Sequence, residues 1–417
     1  MQTIHIAPGV RLHSIPGEKF KRARLAMYFI TPATREGATK EALLPMVMER
    51  GFEECPDASQ LSIKLAKMYG AGLSLASFLN GANRVLAFSV SGIQDRYALN
   101  GEALTQEYTE LLLGVALRPA LENGAFIAKE VEIEKQKLSE LIAAEINEKR
   151  SYCIRQATRS FYAGTPFDVE RLGYPEDIAH ITPQGLYETY ENTLKNAQIE
   201  VFAAGCDTAA VAAALQNAFA GMQRTPAAVQ GAGFVPAAPV REQVEKMNTV
   251  QGKVCMMFTP GQAIEGRERA VMRVAMAVLG SSPTSRLFMN VREKQSLCYY
   301  CSAQFVQASA TIRIDSGVEH ENAQRTQNAI MHEIEMLAQT PPSEEELANA
   351  KRSYLNALQT VQDSIAATEG WYFSENVFGS GTPLEEYMGQ VQSVTKEEVQ
   401  AMLAKIKLSV VHTIGAM

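Results

Sequence analysis

The chain repeats itself, and that internal repeat limits its fold more than any other feature. In the first half, Arg84 to Val90 is an apolar strand candidate, followed by a helix over Glu102 to Leu117 and a charged amphipathic helix over Glu130 to Ile146. In the second half, Ala310-Thr311-Ile312-Arg313-Ile314-Asp315 alternates as a half-buried strand, and Gln324 to Leu337 and Ser343 to Gln359 repeat the two helices. The phrases Ala116-Leu117-Arg118-Pro119 and Ala338-Gln339-Thr340-Pro341 join the helices at equivalent places. Further strands are expected at Arg24 to Ile30, Gln198 to Ala203 and Val254 to Phe258. Between the copies, residues 218–244 are rich in Ala, Pro and Gly, a composition that disfavours a buried helix or strand. The expected division is a domain over residues 1–222, a linker over 223–244 and a second domain over 245–417. The expected fold class is α+β: two homologous halves, each a mainly antiparallel sheet covered by helices.

A chain of 417 residues can bury a core in each half, so the fold needs no stapling by disulfides. Its 39 basic and 46 acidic residues give a net charge of −7, which offers no basic footprint for nucleic acid or an anionic membrane surface. The start, Met1-Gln2-Thr3-Ile4-His5-Ile6-Ala7-Pro8, is not a basic stretch followed by a long apolar core, and no run reaches membrane-spanning length. The expected location is therefore cytoplasmic.

Six histidines and six cysteines are the candidates for metal and thiol sites. No two histidines are four residues apart, the spacing that places two imidazoles on one helical face. His332-Glu333-Ile334-Glu335 looks like the start of such a motif. The stripe Ile330, Ile334 and Leu337 assigns His332 and Glu335 to the wet face instead. His320 reads as a loop or helix-start residue. Cys298 and Cys301 form a Cys-x-x-Cys, but residues three apart on a regular strand face opposite sides, so they are expected to be structural, reduced thiols.

The segment Ser285-Arg286-Leu287-Phe288-Met289-Asn290-Val291-Arg292-Glu293-Lys294-Gln295-Ser296-Leu297-Cys298-Tyr299 resembles the C-terminal-half signature of the insulinase, pitrilysin and mitochondrial processing peptidase family. Weaker matches follow in the right order along nearly the whole chain: Arg50-Gly51, Tyr69-Gly70-Ala71-Gly72-Leu73-Ser74, Ile181-Thr182-Pro183, Asn196 through Gly205, and Val394-Thr395-Lys396-Glu397-Glu398-Val399. In that family an inverted His-x-x-Glu-His helix binds zinc, and its Glu activates a metal-bound water. The matching stretch here is Ala42-Leu43-Leu44-Pro45-Met46. Ala42 and Met46 stand at the two His positions, Pro45 stands at the Glu, and Leu141 stands at the distal ligand position in the helix opened by Glu134-Lys135. Glu140 is one residue away, a rotation of about 100° on a helix. Pro45 also removes an N–H and restricts its predecessor, so an altered local backbone is expected.

The resemblance implies that Arg292 and Tyr299 match the Arg and Tyr that family members contribute to the active site from the second half. Ser282-Pro283 reads as the cap and first turn of the helix carrying Arg292, and Leu297 to Phe305 as the strand carrying Tyr299. A guanidinium and a phenol can donate to peptide carbonyls, and a phenol can stabilise an oxyanion. The residue-level alternative is that Arg292 pairs with a helix-face acid and Tyr299 packs at a strand start. Related bacterial and mitochondrial proteins divide the work between unlike chains, one with zinc and one without.

The expected function is a non-catalytic subunit of a heterodimeric zinc metalloendopeptidase of bacterial type. This chain would hold no cofactor, a homologous partner would carry the zinc, and the substrate would be a peptide or unfolded polypeptide. The alternative is a peptidase-like scaffold or peptide-binding protein without a proteolytic role. Ser74 departs from the pattern of the substrate-edge strand, where the family usually has Asn.

Overall fold

Leu25-Ala26-Met27-Tyr28-Phe29-Ile30 form a continuous run of buried residues, the pattern of a strand covered on both faces. In the computed structural model, which describes residues 1–416, this run lies in the middle of a six-stranded sheet. The first unit contains β1 (Gln2–Ala7), β2 (Val10–Ile15), β3 (Arg22–Pro32), β4 (Gly72–Asn80), β5 (Asn83–Ile93), a small hairpin of β6 (Leu121–Glu122) and β7 (Ala125–Phe126), and β8 (Gln198–Ala204). The sheet order is β1-β2-β8-β3-β5-β4, which leaves β4 at an edge. The second unit contains β9 (Arg241–Met247), β10 (Gly252–Thr259), β11 (Cys298–Val306), β12 (Thr311–Val318) and β13 (Lys407–Ala416). Its order is β11-β12-β10-β13-β9, with β11 at an edge.

The two orders superimpose strand for strand. Reading from the edge, β4-β5-β3-β8-β2 corresponds to β11-β12-β10-β13-β9. In each sheet the first three pairings are antiparallel and the last, β8 with β2 or β13 with β9, is parallel. The helix before the corresponding closing strand is capped alike. Thr182 accepts from the Gly185 amide ahead of β8, and Thr395 forms a capping box with Glu398 ahead of β13. The sheets and helices thus form two α+β halves of common topology.

On the first unit lie α1 (Ala38–Met48), α2 (Ala58–Lys67), α3 (Leu104–Leu117) and α4 (Ala128–Ala144). The next helix, α5 (Lys149–Tyr162), belongs to the second unit, as does the whole segment Ala144–Asp168. Its buried residues Cys153, Ala157 and Phe161 recur every four positions, the stripe of a helix covering a sheet. It packs on β10 and β13. Conversely, the segment Gln362–Phe373, with the helix Ile365–Phe373, belongs to the first unit and packs on β3 and β8. Since β3 corresponds to β10 and β8 to β13, equivalent helices have been exchanged between the halves.

Paired polar residues mark both exchanges. Glu369 is 1% exposed; it accepts from Arg24 Nε at 2.9 Å and from the Tyr28 hydroxyl. Arg150 Nε on α5 donates to Asp315 Oδ2 at 2.6 Å. Residues 223–240 lie outside regular structure, while residues 241–244 of the expected linker belong to β9. Within the second unit, the Gly233 amide donates to Ala308 O at 2.9 Å and the Val235 carbonyl accepts from Thr259.

Candidate functional site

In the first unit, α1 carries Ala42, Pro45 and Met46, the three residues expected at the positions of a zinc helix. It runs through Pro45 without a break, contrary to the expected disturbance, and the Pro45 carbonyl accepts from the Glu49 amide at 3.0 Å. Neighbouring core contacts hold the helix in place: Leu43, Leu44, Val47 and Met48 are all buried in the hydrophobic cluster. Ala42 and Pro45 are buried and Met46 packs partly against the same core. Leu141, on α4, is 50% exposed. None of the four side chains is a ligand for zinc.

Charged side chains bridge the end of α1 to α4. Arg50 Nε donates to Glu130 Oε2 at 2.6 Å and stands 3.8 Å from Glu134 Oε1. Lys137 Nζ donates to the same Glu134 at 2.6 Å. The Glu134 carboxylate is nearly buried, and its charge is matched by two side-chain cations. Gly51 is fixed by a close approach, because a Cβ there would lie 2.5 Å from the Cys55 carbonyl oxygen. Among the described residues, no group of three or more His, Cys, Asp and Glu is placed to hold a metal ion. The residues at this position do not fit zinc.

The adjoining edge strand β4 begins after Tyr69 and Gly70, both at positive φ. The Tyr69 hydroxyl donates to Glu102 Oε1 at 2.9 Å, which fixes the turn. Leu73 and Leu75 turn toward the core while Gly72, Ser74 and Ala76 face solvent.

In the second unit, Arg292 lies on a π-helical segment, Leu287–Lys294. The wide turns are seen directly in the bond from the Gln295 amide to Asn290 O at 3.1 Å, five residues back. The expected cap is corrected here: Ser282 and Pro283 belong to a preceding turn closed by the Ser285 amide on Ser282 O, and helical geometry starts only at Arg286. The Arg292 guanidinium stacks over Phe288 with its carbon 4.6 Å from the ring centre. Its Nε is 3.6 Å from Glu293 Oε1, and the side chain remains 39% exposed.

Tyr299 lies on β11 at a bulge. Cys298 opposes Val318 and Tyr300 opposes Gly317, which leaves Tyr299 without a partner in the ladder. The extra residue displaces its ring outward, where it is 49% exposed, and its hydroxyl donates to Glu319. The next residue, Tyr300, lies over Gly317, whose absent Cβ would stand 2.4 Å from the ring, and the Arg150 guanidinium lies 4.3 Å from the ring centre. The bulge also corrects the expected divergence of Cys298 and Cys301, both of which are free thiols. Their cross-strand partners Val318 and Ser316 are two apart and share a face of β12, so the two thiols share a face as well.

An exposed guanidinium and an exposed phenol near one sheet edge are donors suited to carbonyl or carboxylate oxygens. Glu319, the acceptor of the Tyr299 hydroxyl, was not singled out in the sequence. The signal for it was only its place just beyond a strand that pairs with the Tyr299 strand.

A family described as the peptidase M16 inactive domain matches residues 180–354. The chain is similar to the probable inactive metalloprotease YmfF of Bacillus subtilis, with 25% identity over 405 residues, covering 97% of this chain and 95% of that protein. Among solved structures, a conserved protein from Enterococcus faecalis shares the fold with a TM-score of 0.91 at 22% identity, covering 100% of this chain and 98% of the other. A peptidase M16 inactive domain from Pseudomonas fluorescens matches with a TM-score of 0.79 at 16% identity, again over 100% and 98% of the two chains.

Proposed function

We propose that this chain, similar over residues 180–354 to the peptidase M16 inactive domain and over most of its length to a probable inactive metalloprotease, is the non-catalytic subunit of a heterodimeric zinc endopeptidase. A homologous partner supplies the zinc and the general base, and this chain helps to bind and orient an extended peptide or unfolded segment in the partner's site. The observation that carries the reading is the asymmetry between the two units. The position aligned with the zinc helix holds Ala42, Pro45, Met46 and Leu141, whereas the second unit presents Arg292 and a bulged-out Tyr299 in exposed positions.

Arg292 and Tyr299 act in this proposal as substrate-binding donors. Arg292 binds a backbone or terminal carboxylate oxygen of the peptide, and Tyr299 donates to a carbonyl whose oxygen gains charge during hydrolysis. The Tyr299 hydroxyl must then exchange Glu319 for substrate. That existing bond also favours a second reading, in which Tyr299 only secures the bulge and the chain is a scaffold or peptide-binding protein without a proteolytic role.

Purification from the native cell, under conditions that preserve complexes, tests the proposal. Recovery of a homologue with an intact His-x-x-Glu-His, and peptidase activity that requires both chains, is the expected result. A partner without peptidase activity supports the scaffold. The net charge of −7 offers no basic footprint for nucleic acid, and among the described residues no helix is long and apolar enough to cross a membrane; the proposed location is cytoplasmic.

A further inference from the structure

The bulge at Tyr299 creates a dithiol site. Cys298 and Cys301 face the same side of β11, opposite Val318 and Ser316. Same-face positions two apart on a strand are separated by about 6.7 Å. Their partners Val318 and Ser316 have that spacing, and a disulfide spans Cα atoms roughly 4.4–6.8 Å apart, so closure brings Cys298 and Cys301 to about the separation of the residues they oppose. Tyr299, which lies between them, has no partner in the ladder, so closing the gap breaks no pairing of its own.

The two thiols differ in environment. Cys301 is 6% exposed, whereas Cys298 is half-buried and reachable. The Cys301 thiol and, more weakly, the Ser316 hydroxyl and the Arg292 charge hold the Cys298 thiol below its usual range, against the opposing effect of burial. Hydrogen bonding to Cys298, followed by burial, pushes the Cys301 thiol well up. Such a division gives one accessible attacking sulfur and one protected sulfur behind it. The other cysteine that is not fully buried, Cys206, has its thiol pushed up to about 12 by burial.

We propose that Cys298 and Cys301 are a redox-active pair that exchanges with low-molecular-weight disulfides and closes to an intramolecular disulfide across the Tyr299 bulge. The Cys298 thiolate attacks one sulfur of the small disulfide, forming a mixed disulfide and expelling one thiolate. Cys301 then loses its proton and attacks the Cys298 sulfur, forming the Cys298–Cys301 bond and expelling the second thiolate. The protein gives up two electrons and two protons, and the small disulfide becomes two small thiols. The step needs no metal and does not rest on the peptidase reading.

Oxidised glutathione is the probe. The reduced full chain is incubated with it at neutral pH, free thiols are blocked, and the tryptic peptide between Lys294 and Arg313, which contains both cysteines, is weighed without reduction. The expected peptide is unblocked and lighter by two hydrogens than the reduced form, while Cys206 remains a blocked free thiol. In Cys301→Ser the resolving sulfur is gone, and a glutathione adduct should accumulate on Cys298. Cys298→Ser should leave Cys301 unmodified, and circular dichroism establishes that both variants are folded. Two outcomes overturn the proposal. In one, the folded chain keeps both thiols free while the urea-unfolded chain closes the disulfide. In the other, the wild type accumulates the same Cys298 adduct as Cys301→Ser.

Discussion

Arg24 on β3 and Glu369 on the helix Ile365–Phe373 are 345 residues apart in sequence and meet at 2.9 Å. The Tyr28 hydroxyl donates to the same carboxylate, and the Tyr28 ring stacks on Phe373 at 3.9 Å between centroids. The corresponding exchange in the second unit is held by Arg150 and Asp315. Each unit's sheet is therefore covered in part by a helix that the other half of the sequence encodes.

Because Glu369 is 1% exposed, Glu369→Ala leaves Arg24 and Tyr28 without their acceptor in a largely dry contact. Breaking such a pair costs about 3 kcal/mol. Urea unfolding of the variant should show a loss of that order in the transition of the first unit. A loss below about 0.5 kcal/mol, the scale of an exposed pair, would show that the exchanged helix is held by apolar contact alone.

Glu200 on β8 sets an acid limit. It is fully buried, which by itself would raise its pKa, but hydrogen bonds from His13, Arg11 and Gln198 outweigh burial and hold the carboxyl below its usual range. A carboxyl with a lowered folded pKa binds protons more weakly when folded. Its contribution is therefore complete above the ordinary value of 4.5 and is lost as pH falls through the folded value. Unfolding midpoints of wild type and Glu200→Gln should differ most at neutral pH and converge in acid. A constant gap down to the acid transition would contradict this assignment.

Restoring the zinc helix alone should fail. The triple variant Ala42→His, Pro45→Glu, Met46→His would still have Leu141 pointing largely to solvent and Glu134 engaged by Arg50 and Lys137. Groups that orient metal ligands would also be missing. Elemental analysis should find no stoichiometric zinc, and a quenched peptide should remain uncleaved. Tightly held zinc with chelator-sensitive turnover would refute the prediction.

Much of this architecture was legible in the sequence. Apolar runs and 3.6-residue stripes located β3, β5, β8, β10, β12 and the long helices, because these elements bury one or both faces. His332 and Glu335 are exposed, as the stripe of their helix required. What escaped was decided by long-range pairing. The lone carboxylate Glu369 in an apolar helix gave no hint that its partner was Arg24. The bulge at Tyr299 follows from the pairing of β11 with β12, and the local alternation of Cys298 and Cys301 therefore pointed the wrong way. Pro45 alone predicts a backbone disturbance, yet burial of its neighbours keeps α1 continuous.

The central claim is that Arg292 and Tyr299 complete a partner's active site, and turnover of the reconstituted complex tests it most directly. Tyr299→Phe and Arg292→Ala chains are combined with the proposed zinc-bearing partner, assembly is verified by size-exclusion chromatography, and peptide cleavage is compared with wild type. Loss of a transition-state donor lowers turnover by roughly 10²-fold or more. The account predicts that both variants assemble normally and that turnover falls on that scale. Unchanged turnover in both assembled, folded variants would contradict the shared-site mechanism and leave the scaffold reading in its place.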